Sequence, residues 1–188
     1  MSDFKRKGSL QRLTVCALFA ALLCVISPLA IPIGPIPISL GLFGVLLCAV
    51  CLPPLMGVTA VFVYVAIGLC GLPVFSGALG GAPALAGPTG GYLWSYLIVA
   101  PVVGLLSKTG RGSVARTVAM RSFFACLVGV LICYSFGVLQ YVLVTKTPLG
   151  AALAVCVLPF LPIDLGKALL AVLLGGRLSP ILSRRLSL

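Results

Sequence analysis

Two ionisable side chains lie close together in an otherwise apolar stretch near the end of the chain. Asp164 and Lys167 occur in the segment PFLPIDLGKALL, and Asp3 is the only other acidic residue. A charged side chain inside a membrane costs at least about 2.5–3.5 kcal/mol, so such residues usually face a polar cavity. Their i, i+3 spacing puts both on one helical face, where they can neutralise each other. The pattern predicts a ligand site; the alternative is a buried ion pair that only fixes helix packing.

The chemistry of the pair indicates the kind of ligand that it would suit. An Asp accepts hydrogen bonds and a Lys donates them. A neutral, planar ligand with N–H groups beside a carbonyl, such as a cyclic urea, matches both. Pro159 and Pro162 precede the pair and interrupt the helical ladder, so we expect freed carbonyls near the same cavity.

Several amphipathic side chains are further candidates for ligand contact, although most Tyr and Trp in membrane helices are interfacial anchors. Tyr92 is favoured because it closes a glycine-rich segment, whereas Gln140 is expected to bond a neighbouring helix. The whole set is Tyr64, Tyr92, Trp94, Tyr96, Tyr134, Gln140 and Tyr141.

The glycine-rich segment 72–91, LPVFSGALGGAPALAGPTGG, has three prolines and no charge. A flexible aqueous linker would carry polar residues, and long loops of this kind tend to be lids or binding loops. Non-helical backbone near a membrane persists where it is buried in protein or lines a cavity. We expect an external lid whose glycines let backbone N–H groups approach a ligand. A structured connector without ligand contact is the alternative.

Other chemistries are poorly supplied. The chain has no histidine, and the CxxC at Cys48 and Cys51 lies in an apolar stretch with no second such motif, so we expect no metal and interpret the cysteines as small apolar residues. Gly166 and Lys167 lack the rest of a nucleotide-binding P-loop. We expect no cofactor and no enzymatic activity, and ATP would have to be hydrolysed by a partner.

The composition sets the fold class. Of 188 residues, 61% are apolar and 8% charged, and the mean hydropathy is +1.28. Soluble domains average about 25% charged residues. At roughly 20 apolar residues per crossing, we expect an all-α integral membrane protein, a single domain over residues 1–188 with six transmembrane helices. The expected spans are 13–31, 38–52, 55–71, 92–107, 122–145 and 149–175, with the lid at 72–91.

The basic residues that give the chain its net charge of +11 cluster between the apolar stretches. We therefore interpret this charge as a topology signal toward anionic headgroups of the lipid bilayer, and expect no nucleic acid. The N-terminal apolar stretch is longer than a signal-peptide core, so it is expected to be the first span. With both termini cytoplasmic, eleven of the thirteen basic residues fall inside: Lys5, Arg6, Lys7, Arg12, Lys108, Arg111, Arg116, Arg121, Arg177, Arg184 and Arg185.

Two segments carry a resemblance to a known family. They are YVAIGLCGLPVFSGALGGAPALAGPTGGYLWSYL at 64–97, above all GLPVFSG and GPTGGY, and PIDLGKALLA at 162–171. With the six-span layout, the chain resembles the BioY family, the biotin-specific S components of energy-coupling-factor transporters, along almost its whole length.

The resemblance implies a six-helix bundle of S-component type in the cell (inner) membrane that captures biotin from outside. It implies three partner subunits, a transmembrane T component and two cytoplasmic ATPases. Asp164 and Lys167 would contact the ureido ring, and Ala17 and Ala21 in the first span would dock the T component. The lid positions implied to close over the vitamin are Gly77, Gly80, Gly81, Ala86, Thr89, Gly91 and Tyr92.

Two departures concern how the ligand is held. Some relatives carry an asparagine where this chain has Ala86, and some carry an arginine near the ligand carboxylate, whereas this chain has no arginine between Arg12 and Arg111. Hydroxyls, backbone N–H groups or solvent would then hold the tail. Three alternatives stay open: an S component for another vitamin, a facilitator working alone, and a membrane enzyme.

Overall fold

The computed structural model describes residues 2–32, 36–107 and 115–185, with side chains over 9–32, 36–107 and 117–183. This part of the chain is mainly helical, with one small antiparallel hairpin and a 3₁₀ turn at Ser76–Ala78. The elements in chain order are α1 (Ser2–Ile26), β1 (Ala30–Ile31), β2 (Ile38–Ser39), α2 (Gly41–Cys51), α3 (Pro54–Leu69), α4 (Ala82–Ala86), α5 (Gly90–Ser107), α6 (Ala115–Thr145), α7 (Leu149–Cys156) and α8 (Leu161–Arg185).

Four of the described helices, α1, α5, α6 and α8, are long and apolar enough to cross a membrane. Helices α2 and α3 are also apolar but shorter. Large apolar side chains such as Leu13, Leu131 and Leu173 are more than half exposed on the outside of the bundle. An apolar exterior of this extent requires lipid rather than water around it. The expected all-α membrane class is confirmed at this level.

Helix α2 lies at the centre of the bundle. Nine of its 11 residues are buried, and it packs against α1, α3, α5, α6 and α8. Close approach depends on small residues: a Cβ added to Gly44 would come within 2.6 Å of Leu23 on α1. Cys48 and Cys51 are both buried here as free thiols, in agreement with their interpretation as small apolar residues.

The prolines set several element boundaries. The predicted break at Pro53 and Pro54 is present, with Pro54 in the first turn of α3, where its missing N–H costs nothing. Upstream, α1 ends at Ile26, earlier than the expected 31, and a short hairpin joins it to α2. Helices α5 and α6 begin earlier than expected, at Gly90 and Ala115. Residues 33–35 of the proline-rich connection lie outside the described residues.

The expected last span, 149–175, is not one helix. Helix α7 ends at Cys156, α8 begins at Leu161, and Val157 between them leaves the helical conformation with φ −123° and ψ −54°. Pro159 explains the break, because proline has no N–H to donate and disfavours helix at the residue before it. Pro162 is tolerated in the first turn of α8, where amide donors have no helical partner anyway.

The segment 72–91, here called the lid, is compact and contains the 3₁₀ turn and α4. Its 3₁₀ turn packs against both hairpin strands, so lid and hairpin lie at the same end of the bundle. The Gly81 N–H donates to the Gly68 carbonyl at 2.7 Å, which fastens the lid to the end of α3. Gly77 and Gly81 have φ of +70° and +80°, a region of backbone conformation that favours glycine.

Part of the charge pattern behind the topology prediction lies outside the described residues and side chains. Lys108 and Arg111 lie outside the described residues. Further basic positions belong to described helices but have side chains outside the described set: Lys5, Arg6, Lys7, Arg116, Arg184 and Arg185.

Candidate ligand site

Asp164 and Lys167 form a buried ion pair at the start of α8. The Lys167 Nζ lies 2.8 Å from Asp164 Oδ1. Lys167 is 9% exposed and Asp164 is 3% exposed. The predicted mutual neutralisation is confirmed. Two further hydrogen bonds hold the pair: Lys167 Nζ donates to the Ser39 carbonyl at 2.8 Å, and the Tyr134 hydroxyl donates to Asp164 Oδ2 at 2.7 Å. The pair is thus clamped between the hairpin and α6.

The pair lines a partly open cavity beneath the lid. Together with its open mouth, the cavity contains about 660 Å³ of space that no protein atom fills. The hairpin, the lid, α2, α5, α6 and α8 all contribute to the wall. Its lining residues are Ser27, Ile36, Pro37, Ser39, Leu42, Phe75, Ser76, Leu79, Ala84, Thr89, Tyr92, Leu93, Tyr96, Cys133, Tyr134, Phe160, Asp164 and Lys167.

Tyr92 reaches the cavity through the close packing of α5 on α6. A Cβ on Gly137 would overlap the Tyr92 ring, and one on Gly91 would overlap the carbonyl of Phe136, so both contacts require glycine. The Tyr92 hydroxyl donates to the carbonyl of Cys156, the last residue of α7, at 3.1 Å. Tyr92 therefore satisfies one of the carbonyls freed by the helix break.

Besides the Gly81–Gly68 backbone bond, two side chains hold the lid in place. The Phe75 ring is buried in a slot where a Cβ on Gly68 would overlap it, and it packs edge-on against Tyr64 at a centroid distance of 5.7 Å. On the other side, Gln140 Nε2 donates to the carbonyls of Leu85 and Gly87 at 2.7 and 2.8 Å. The expectation that Gln140 bonds a neighbouring helix is confirmed for Leu85, which belongs to α4, and the second partner, Gly87, directly follows that helix.

The predicted site residues divide into two groups. Asp164, Lys167, Tyr92 and Thr89 line the cavity together. The remaining lid positions do not line the cavity. Gly77 and Gly81 have positive φ, Gly80 and Gly91 pack tightly against backbone, and Ala86 is the exposed last residue of α4.

Sequence reasoning did not assign several polar groups of the cavity wall. Ser39 is needed for its backbone carbonyl, which no side-chain pattern reveals. Ser27 and Tyr64 share a hydrogen bond of 2.6 Å, and the sequence gives no reason to choose Tyr134, which bonds Asp164, among the tyrosine candidates. The signal available for Tyr134 was its place on the helix that also carries Gln140.

Ala17 and Ala21 lie elsewhere, on the outer face of α1. Both are exposed and separated by one helical turn. Small side chains at this spacing leave a shallow groove that a second helix can approach closely. Neither residue contributes to the cavity lining.

Metal ligands are not clustered in the described part of the chain. No group of three or more Cys, His, Asp or Glu side chains there could hold a metal ion.

Comparison with known proteins gives a consistent result. The BioY family model matches residues 2–184. A biotin transporter BioY of Thermotoga maritima is 36% identical over 172 residues, covering 92% of this chain and 98% of that protein. Biotin transporter BioY2 of Lactococcus lactis is 35% identical over 174 residues, covering 93% of each.

A solved structure agrees with these relatives. The crystal structure of the S-component for biotin from an ECF-type ABC transporter superposes with a TM-score of 0.81 and 30% sequence identity, covering 92% of each chain. Sequence similarity, backbone geometry and the apolar exterior therefore point the same way, and this membrane protein belongs to the BioY family.

Proposed function

We propose that the chain is the biotin-binding membrane subunit of an energy-coupling-factor transporter. One observation carries the proposal: an ion pair with spare hydrogen-bonding capacity lies in a cavity covered by a fastened lid. Lys167 uses two of its three N–H donors, and Asp164 retains unused lone pairs. A ureido ring offers one carbonyl and two N–H groups to these atoms, and the apolar wall suits the rest of the molecule.

The membrane arrangement belongs to the same proposal. We place six crossing segments in the cell (inner) membrane: α1, α2, α3, α5, α6 and the broken pair α7–α8. The hairpin and lid would face outside, and both termini the cytoplasm. Arg121, whose Nε donates to the Leu106 carbonyl at the far end of α5, would lie on the cytoplasmic side with the other basic residues.

Transport requires partners, because the chain has no nucleotide-binding motif. A transmembrane T component and two cytoplasmic ATPases would supply the energy for delivery. The exposed Ala17 and Ala21 surface of α1 is the proposed docking face for the T component, since its small side chains permit close helix contact.

The first experiment is ligand identification. Protein purified in mild detergent from biotin-containing medium is analysed by native mass spectrometry, and labelled biotin is competed with unlabelled biotin, thiamine and riboflavin. We expect co-purified biotin and competition by biotin alone. Competition by thiamine or riboflavin would indicate an S component for another vitamin and contradict the proposal.

A second experiment separates a subunit from a facilitator. Biotin uptake is measured in vesicles that contain this chain alone, and in vesicles that also contain the T component and ATPases with ATP inside. We expect accumulation only in the second. Equal uptake without the ATPases would show that the chain works alone.

A further inference from the structure

Ser76, in the 3₁₀ turn of the lid, has a buried hydroxyl without a partner. Among the described side chains, its Oγ is the buried polar atom for which no hydrogen bond is found. Ser76 also lines the cavity. A buried hydroxyl with no hydrogen bond is unfavourable, and such groups in native proteins call for a specific explanation.

Three other hydroxyls of the cavity wall, on Ser27, Tyr92 and Tyr134, are already engaged. Ser27 bonds Tyr64, Tyr92 bonds the Cys156 carbonyl, and Tyr134 bonds Asp164. The wall is therefore largely satisfied without ligand, and Ser76 is an exception to that pattern. An unmet donor in a ligand cavity indicates a group that the ligand satisfies.

The backbone around Ser76 holds the hydroxyl in place. The Phe75 N–H donates to the Leu79 carbonyl at 2.9 Å, closing a tight turn in which Gly77 and Ala78 have φ of +70° and +59°. The neighbouring Phe75 ring is buried to 1% exposure. With its base closed and its anchor buried, the turn keeps the backbone of Ser76 at the cavity wall.

The turn also lies on the lysine side of the cavity. It packs against β2, and β2 contains Ser39, whose carbonyl accepts from Lys167. The hydroxyl and the remaining ammonium donor thus approach the cavity from neighbouring parts of its wall. A carbonyl oxygen has two lone pairs and can accept both.

We propose that the Ser76 hydroxyl donates a hydrogen bond to the ureido carbonyl oxygen of the bound ligand, beside the third N–H of Lys167, while Asp164 accepts from the ring N–H groups. This inference rests on the proposed biotin function. It makes Ser76 a ligand-binding residue carried by the lid, so that ligand binding and lid closure stabilise each other.

The test compares Ser76→Ala and Ser76→Cys with the unmutated chain, and uses Ser135→Ala as the matched control, since that serine is exposed and bonds only the Leu131 carbonyl. Affinities are measured in detergent by calorimetry for biotin, biotin amide and 2-thiobiotin. Thermal stability is measured without ligand. Loss of one neutral hydrogen bond corresponds to about a 3- to 10-fold weaker affinity.

We expect Ser76→Ala to weaken biotin and biotin amide equally, about 3- to 10-fold, with Ser76→Cys intermediate because a thiol is a weaker donor. The loss for 2-thiobiotin should be smaller, since sulfur is a poor acceptor. The ligand-free protein should be no less stable, because the hydroxyl has no partner to lose. The Ser135→Ala control should match the unmutated chain.

Three outcomes would overturn the inference. Unchanged biotin affinity in Ser76→Ala would show that the Ser76 hydroxyl makes no hydrogen bond to the ligand. A loss for biotin but not for biotin amide would place Ser76 at the carboxylate. A loss of ligand-free stability would assign Ser76 a structural role. Failure of the unmutated chain to bind biotin would instead reject the proposed function itself, so the two failures are distinguishable.

Discussion

Removing Lys167 while keeping Asp164 is the sharpest perturbation of the ligand site. Lys167→Met keeps most of the side-chain volume but deletes the hydrogen bonds to Asp164 and to the Ser39 carbonyl, both 2.8 Å long. It leaves a carboxylate with 3% residue exposure and only the Tyr134 donor. Breaking a buried ion pair from one side costs about 3–5 kcal/mol.

The double variant Asp164→Asn/Lys167→Met should recover much of that loss. It contains no buried ion, and the amide oxygen of the introduced asparagine can still accept from Tyr134. The main remaining defect is the Ser39 carbonyl, which has lost its donor; leaving a buried acceptor unsatisfied costs about 1–3 kcal/mol. For a chain of this size, 1 kcal/mol shifts Tm by about 2–4 °C. Lys167→Met should therefore lower Tm by roughly 6–20 °C, and the double variant by clearly less.

Biotin binding should behave differently from stability. A hydrogen bond to a charged group contributes about 1.5–3 kcal/mol, so the single variants Lys167→Met and Asp164→Asn should each bind biotin about 10- to 150-fold more weakly. The double variant should not recover, because its ligand-facing charges are gone. Recovery of Tm without recovery of affinity is the pattern expected of a ligand site, as opposed to a pair that only fixes helix packing.

The assay can use the protein's own thiols. Six of the eight free cysteines are buried, so a thiol-reactive dye reports unfolding in detergent. Labelled-biotin binding is measured on the same samples at a temperature well below every Tm. Biotin affinity in the double variant equal to that of the unmutated chain would refute the ligand-site reasoning. Equal Tm values in all variants would refute the buried-pair energetics.

Three further predictions concern the lid and the docking face. Gln140→Leu removes both donors to the lid carbonyls, so we expect biotin to dissociate about 5- to 50-fold faster, measured by filter binding after dilution. Gly68→Ala places a Cβ where the Phe75 ring lies and should therefore displace the lid, which would be measured as faster hydrogen exchange over 72–91. Combining Gly68→Ala with Phe75→Leu should partly restore the protection from exchange. Ala17→Trp with Ala21→Trp should leave biotin binding within about 2-fold but abolish ATP-driven uptake, because the bulk lies on an exposed face.

Each of these has an outcome that contradicts it. Unchanged biotin dissociation in Gln140→Leu would show that the lid does not limit release. Unchanged exchange in Gly68→Ala would mean that the slot for Phe75 is not tight. Full uptake by the double tryptophan variant would move the T-component contact away from this face of α1.

The ion pair and the lid were predictable because their residues are unusual for their positions in a membrane protein. A charged residue among lipid-facing helices is rare enough to identify Asp164 and Lys167 from sequence, and their spacing fixed which atoms meet. The uncharged, glycine-rich stretch likewise indicated a folded cover. The prolines Pro53 and Pro54 marked a helix boundary for purely local reasons.

The rest depended on tertiary contacts that no local pattern encodes. The Ser39 carbonyl lies 128 residues from Lys167 in sequence, and any residue type provides a carbonyl. Choosing Tyr134 over the other tyrosines requires knowing how α6 is rotated. Gln140 bonds the lid because α6 extends up to it, which is a matter of helix length and tilt.

The position of the helix break explains why Asp164 is tolerated in a lipid-buried bundle. Because Pro159 ends the run of helix, a new N-terminus forms at Leu161, and Asp164 falls in the first turn of α8. A carboxylate in the first turn of a helix is stabilised by the positive end of the helix dipole. One turn on, Lys167 neutralises the carboxylate and bonds the hairpin carbonyl. A continuous helix over 149–175 would keep the i, i+3 pair but would place the carboxylate in mid-helix, away from the positive end of a helix dipole. The proline therefore creates the electrostatic environment in which an acid can face a ligand cavity, and the break belongs to the site as much as the charges do.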